Sequence, residues 1–337
     1  MKEAFLYEKL EDKKVKCNLC AHRCIISESK RGRCGVRKNI DGILYSLVYG
    51  IIVAEHVDPI EKKPLYHFYP GSKAYSIATV GCNFRCVFCQ NYEISQLPQE
   101  TGQILGVEKS VSEIVEKAKR YECKSISYTY TEPTIFFELA YDVAKLATSY
   151  GIKNNFVTNG FMTPETIKMI SPYLDAANVD LKSFRDDFYK TYTKAKLQPV
   201  LDSIKLMKEL GIWVEVTTLI IPGLNDSDAE LKDIANFIAK DVGIDVPWHI
   251  SRFYPQYKML DRPPTPVKTL YRAYEIGKEA GLKYVYTGNV FGDPYSHTYC
   301  PSCGKIVIER YGFSVSNYKI ENGKCSFCKA EIDGVGM

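Results

Sequence analysis

The sequence predicts an α/β protein, a partial (β/α)6 TIM-like barrel with a small cysteine-rich module at each end. Three observations lead there. From Ala74 onward, short apolar runs rich in β-branched residues alternate with amphipathic helical patterns, the mark of repeated strand–helix units and a parallel sheet. The residues after each run are polar, titratable or glycine-rich, as expected where a site lies at the carboxyl ends of parallel strands. The 12 cysteines also cluster: Cys17, Cys20, Cys24 and Cys34; then Cys82, Cys86 and Cys89; then Cys300, Cys303, Cys325 and Cys328, with Cys123 alone.

A chain of 337 residues suffices for one large α/β domain with appendages. Apolar residues at 45% and charged residues at 25% are ordinary for a globular protein. Lys+Arg 44 against Asp+Glu 40 leaves +4 and no long basic block, so nucleic acid is not indicated by charge. The first residues carry acids and no apolar core, unlike a signal peptide, and no run approaches the roughly 18 apolar residues of a membrane span. Cysteines in such a chain argue for metal sites in a reducing compartment, and the expected location is cytoplasmic.

Taken in order, residues 1–16 are charged and read as a short helix or arm. Cys17, Cys20, Cys24 and Cys34, opening with C-x2-C, suit a tetrahedral zinc site or an accessory iron–sulfur cluster, with His22 a possible substitute ligand. Leu44–Ala54 suggests a hairpin or bent strand around Gly50. Residues 58–71, punctuated by prolines and ending in glycine, read as an extended connector. The expected domains are therefore a Cys-rich extension over 1–70, the barrel over 71–295 and a small module over 296–337.

Strands are expected at Ala74–Val80, Ser125–Tyr130, Lys153–Thr158, Ala177–Leu181, Trp213–Ile221, Trp248–Phe253 and Tyr284–Tyr286. Helices are expected at Val111–Tyr121, Ile135–Tyr150, Pro164–Tyr173, Pro199–Leu210, Asp228–Val242 and Val267–Ala280. Ser110 to Glu113 makes a capping box, Thr163-Pro164 places proline at a first helical position, and Asp226 or Ser227 caps the next helix. Right-handed crossovers then give a partly closed barrel, with an open doubly wound sheet as the alternative.

Cys82, Cys86 and Cys89 follow the first strand at C-x3-C-x2-C, where three thiolates can each hold one iron of a cube. The fourth iron is left for chemistry; a structural zinc knuckle or three buried thiols are the alternatives. Cys300, Cys303, Cys325 and Cys328 make two C-x2-C knuckles separated by 21 residues, a C-terminal zinc-ribbon pattern with a rubredoxin-like iron as rival. The ribbon is expected beside the mouth of the barrel, as a lid or docking surface. Cys123 reads as a small buried hydrophobe.

Gly81-Cys82-Asn83-Phe84-Arg85-Cys86-Val87-Phe88-Cys89-Gln90-Asn91 resembles the signature of the radical SAM enzymes, down to the bulky Phe88 before the third cysteine. The resemblance implies a 4Fe-4S cluster and S-adenosylmethionine (SAM). Thr131-Glu132-Pro133 stands where the family has Gly-Gly-Glu-Pro, whose strand edge and carboxylate receive the SAM amino group; Tyr130 and Thr131 replace the glycines. Asp180-Leu181-Lys182 resembles the Asp-x-Lys of pyruvate formate-lyase activating enzymes, with Lys182 contacting the SAM carboxylate. Val157-Thr158-Asn159-Gly160-Phe161 aligns with Asp-Thr-Asn-Gly-Phe, and Asn91 matches an asparagine common after the third cysteine. Val157 removes a carboxylate, so the cation site of those enzymes is not expected, and Thr217 stands where they carry arginine. His249 is a candidate to face SAM or substrate, or else a satisfied core histidine.

The whole chain is similar to the radical SAM proteins of the AmmeMemoRadiSam system, which implies AMMECR-type and Memo-type partners and a ferredoxin- or flavodoxin-like electron donor. The expected function is reductive cleavage of SAM to a 5′-deoxyadenosyl radical that abstracts hydrogen from an unidentified substrate. Two alternatives are a glycyl-radical-enzyme activase and, in another class, a non-catalytic zinc-ribbon module binding RNA or a protein.

Overall fold

Eight strands share one sheet in the computed structural model, which describes residues 1–337. They are β1 (Ala54–Pro59), β2 (Lys73–Ala78), β3 (Ser125–Tyr128), β4 (Lys153–Thr158), β5 (Ala176–Asp180), β6 (Trp213–Ile220), β7 (Trp248–Arg252) and β8 (Val285–Gly288), side by side in that order. β1 runs antiparallel to β2, and every later pair is parallel. The order never reverses, so there is no switch point of the kind a doubly wound sheet requires, and that alternative is set aside.

The crossovers are the expected helices: α1 (Val111–Arg120), α2 (Phe137–Ser149), α3 (Pro164–Ile170), α4 (Gln198–Glu209), α5 (Asp228–Phe237) and α6 (Val267–Glu279). Ser110 and Glu113 make both bonds of the capping box, Thr163 caps α3, and Ser227 rather than Asp226 caps α5. Alternation along the strands sorts the faces. Tyr128 and Phe156, cross-strand partners in β3 and β4, belong to the apolar core, as do Val216 and Trp248 in β6 and β7. The opposite face is buried yet polar: Ser76, Ser127 and Asn155 pair across β2, β3 and β4, and Thr217, His249 and Tyr286 across β6, β7 and β8. Cys123 is buried as a small hydrophobe, its thiol pushed up to about 11 by desolvation.

Several expectations need correction. Residues 1–16 contain no helix; Tyr7–Lys9 and Val15–Cys17 pair as strands, joined by Ile25–Ile26. Leu44–Ala54 is not a self-pairing hairpin. Ile43–Ser46 pairs with Arg37–Ile40, and Ile51–Ile52 pairs with Val107–Glu108. The connector expected over residues 58–71 is packed into the fold: Ile60, Glu61, Lys63, Leu65, Tyr66, His67 and Phe68 are all buried. The main sheet begins at Ala54, so a boundary at 70 cuts the β1–β2 hairpin, and Val15, Leu19 and Val36 share a core with the sheet.

The C-terminal module also lies elsewhere than expected. Val307, Ile308, Ile320 and Ile332 pack with Tyr66, Tyr284 and Tyr286. Tyr284 and Tyr286 are at the amino-terminal start of β8, so the module covers the end of the sheet opposite the cysteine loop. It is not a lid on the mouth.

Candidate active site at the strand ends

The loop after β2 is held in place before any ligand arrives. Phe84 and Phe88 are buried, Phe84 against Phe161 and Tyr189, Phe88 against Phe188. Arg85 N–H donates to the Thr193 carbonyl at 2.8 Å and Val87 N–H to the Tyr192 carbonyl at 3.1 Å. These anchors leave the three thiols on one loop, with Cys89 Sγ 3.2 Å from Ser95 Oγ and Phe84 N–H 3.3 Å from Cys82 Sγ. Burial pushes the Cys86 thiol up to about 12, against the pull of the nearby Lys182 ammonium. Cluster loading must therefore displace protons.

The other strand ends converge on this loop. Asn91 Nδ2 donates to the Tyr130 carbonyl at 2.7 Å, and Thr131 Oγ1 to the Thr79 carbonyl at 2.8 Å. After β4, Asn159 Nδ2 donates to Asn83 Oδ1 at 2.7 Å and lies 3.8 Å from Cys82 Sγ. Gly160, next in line, has φ +69°, and a Cβ there would stand 2.7 Å from Val179 Cγ1, so glycine is required.

Glu132 does different work from that expected. Its Oε1 accepts from Thr134 N–H (3.1 Å), Thr134 Oγ1 (2.5 Å) and Thr158 Oγ1 (2.7 Å), and its Oε2 from Asn159 N–H (2.8 Å). Burial pulls its pKa up and these donors pull it down, with a net rise. Glu132 is a buried brace and helix cap that fixes Thr158 and Asn159 beside Cys82.

Asp180 and Lys182 end β5. Lys182 Nζ lies 3.0 Å from Asp180 Oδ2 and 5.9 Å from the centre of the Phe88 ring. Burial works against the Lys182 charge, but the Asp180 carboxylate and Cys86 outweigh it, and its pKa is raised. Its backbone is locked by Tyr189, whose hydroxyl accepts from Lys182 N–H, and by Asn225 Nδ2 donating to its carbonyl.

His249 is not brought to this group. Its Nε2 lies 2.6 Å from Glu215 Oε2, its ring stacks on Tyr286 and meets Tyr66 edge-on, and it is buried near the start of β7. It is the satisfied core histidine of the two readings. Ser95 and Gln99 carry no sequence signal, and Asn83 in the cysteine motif and Asn225 after β6 are marked by position alone, not by role. Loop amides and a serine carry no spacing signal, and their partners become visible only in three dimensions.

In the C-terminal module, the sulfurs of Cys300, Cys303, Cys325 and Cys328 lie within 4.8 Å of one another. Cys300 to Cys328 is 3.6 Å and Cys303 to Cys325 is 3.8 Å. Two sulfurs each about 2.3 Å from one tetrahedral zinc would stand about 3.8 Å apart, so this set fits a single ion.

A parallel sheet, a C-x3-C-x2-C loop after its first parallel strand and an Asp-x-Lys at another strand end define a class. Residues 76–238 match the radical SAM superfamily, and the chain belongs to it. Within it, the chain is 49% identical over 335 residues to an uncharacterized protein of Methanocaldococcus jannaschii, covering 99% of both chains. It is 25% identical over 164 residues to the pyruvate formate-lyase-activating enzyme of Clostridium pasteurianum, covering 47% of this chain and 66% of that one. A radical SAM methyltransferase from Sphaerobacter thermophilus shares the fold, with a TM-score of 0.51 and 16% identity over 65% of this chain and 67% of its own. The protein is therefore a radical SAM enzyme related to glycyl-radical activases. No helix is long and apolar enough to cross a membrane.

Proposed function

We propose that this chain binds a 4Fe-4S cluster through Cys82, Cys86 and Cys89 and cleaves SAM reductively on a partial (β/α)6 barrel in the cytoplasm. The observation that carries the reading is the convergence of Tyr130, Asn159 and Lys182 on the cysteine loop. When bound, the cluster and SAM would supply the reductive cleavage and hydrogen-atom abstraction chemistry. The residues position and shield. Lys182 offers a fixed positive charge to the SAM carboxylate. The strand edge at Tyr130 and Thr131 receives the amino group, with Asn91 ordering that edge. Glu132, Thr158 and Asn159 hold the wall beside Cys82, and Asp180 holds the Lys182 ammonium in place. Phe84 and Phe88 exclude water from the loop's underside.

Zinc is proposed for Cys300, Cys303, Cys325 and Cys328, supplying folding free energy to a module too small for a sufficient core of its own. A ferredoxin- or flavodoxin-like protein would deliver the electron, and proteins of the AMMECR and Memo types are the proposed associates. The activase reading is second, favoured by the relationship to the Clostridium pasteurianum enzyme. The ribbon as an RNA-binding module fits less well, because Arg310 is buried against Tyr66 and Thr298 and cannot meet a phosphate.

The test is anaerobic reconstitution with iron and sulfide, dithionite reduction, and measurement of 5′-deoxyadenosine. Product formed by the wild type and lost in Cys86→Ala supports the reading. Equal behaviour of the two proteins refutes it.

A further inference from the structure

We infer that Cys17, Cys20, Cys24 and Cys34 hold an iron–sulfur cluster of their own, set against the Cys82 loop for electron exchange. The spacing comparison, the total iron count and the exchange rest on the proposed cluster at Cys82, Cys86 and Cys89; the iron kept when those three are replaced does not.

The four thiols wall one cavity, together with Ile26 and Ile135. Their spacing decides between ions. The C-terminal set is tight, as one tetrahedral ion demands, whereas no three of the N-terminal sulfurs come within 4.8 Å of one another. Nor do the sulfurs of Cys82, Cys86 and Cys89 all lie within 4.8 Å of one another. Thiolates on a cube bind different irons and stand farther apart than thiolates sharing one zinc. The N-terminal cysteines thus share with the first cluster loop the lack of a tight single-ion grouping, and differ in this from the ribbon. Arg37, in the same wall, has a buried Nε–H without an acceptor, a donor of the kind that tunes cluster sulfurs.

The two cysteine loops touch. Gln99 Nε2 donates to the Cys34 carbonyl at 3.0 Å and to the Cys82 carbonyl at 2.7 Å. The His22 ring bonds the Asn83 carbonyl at 2.8 Å. Gly81 has φ +106°, and a Cβ there would stand 3.2 Å from the Cys34 oxygen and 2.7 Å from Val36 Cγ1. One electron entering from an external donor of the ferredoxin or flavodoxin type leaves to the Cys82 loop, so the N-terminal cluster ends in its starting state.

The wild type, reconstituted anaerobically, is expected to hold about eight irons and one zinc per chain. Four irons and two zincs would overturn the inference. The Cys82→Ala/Cys86→Ala/Cys89→Ala variant should keep about four irons and show a dithionite-induced paramagnetic signal; zinc without iron would overturn it. In Cys20→Ser/Cys24→Ser, iron at the Cys82 loop and dithionite-driven SAM cleavage persist, which separates failure here from failure of the SAM reading. A reduced wild-type spectrum broadened relative to the sum of the two variants supports exchange, and a plain sum refutes it.

Discussion

Tyr130 stands in the left-handed region at φ +62° and offers its carbonyl to Asn91 Nδ2 at 2.7 Å. A tyrosine thus adopts the backbone conformation that glycine takes most easily, at the place where the family carries glycines. The bond ties the end of the cysteine loop to the strand edge proposed to meet the SAM amino group. Asn91→Ala removes one neutral hydrogen bond, worth about 1 kcal/mol. SAM affinity, read by calorimetric titration of reconstituted protein, should weaken about fivefold while iron content stays unchanged.

Lys182 should matter more. A charge-assisted hydrogen bond contributes about 1.5–3 kcal/mol, so Lys182→Met should weaken SAM binding by roughly 10- to 150-fold. Asp180→Asn leaves the ammonium in place but frees it to move, and a smaller loss is expected. Titrating SAM into both reconstituted variants orders the two effects; equal losses would mean that the charge itself is not what SAM reads.

Arg37 and Glu138 form a buried bidentate pair, at 2.6 and 2.9 Å, that fastens the N-terminal strands to α2. Glu138 Oε1 also accepts from Phe5 N–H at 2.7 Å. Removing one partner strands a charge in the core, and Arg37→Met should destabilise by about 3–5 kcal/mol in urea unfolding. The double variant Arg37→Met/Glu138→Leu should recover much of the loss, since no charge is then left unpaired.

The legibility of this chain in its sequence follows from the range of each interaction. The strand–helix alternation and its caps are local, so Lys153–Thr158 and the Ser110–Glu113 box are legible in the sequence. Residues 58–71 misled because prolines report backbone shape, not burial; the partners that bury Tyr66 and His67 are Glu215 and Tyr286, far along the chain. For the same reason the sequence could name Glu132 and His249 but could not tell an open carboxylate from a saturated one, nor a mouth from a floor. The N-terminal cysteines are ambiguous in sequence because spacing along a chain does not give spacing between sulfurs.

His67 supplies the pH test of that floor. Its Nδ1–H donates to the Asp333 carbonyl and its Nε2 accepts from Tyr286 Oη, each at 2.6 Å, so the ring is held neutral. Tyr286 in turn accepts from Thr298 Oγ1 at 2.8 Å, which accepts from Arg310 Nη1 at 2.7 Å. Burial lowers the His67 pKa to about 4, with Arg310 and His249 adding to the fall and Glu215 opposing it. Below pH 6.5 the unfolded chain takes a proton that the folded chain refuses, so stability falls as pH drops from about 6.5 to 4. The loss from this group reaches about 3 kcal/mol at pH 4 and levels off within about one pH unit below it. Other groups move too: Glu55 is lowered to about 2 and loses its contribution at still lower pH, whereas the raised Glu61 and Glu132 act in the opposite sense. The difference between wild type and His67→Gln cancels them. Urea midpoints at pH 7, 6, 5 and 4.5 should converge as pH falls, since glutamine keeps a donor and an acceptor but takes no proton. Parallel curves would mean that the imidazole titrates normally and that the Arg310–Thr298–Tyr286 chain does not hold it neutral.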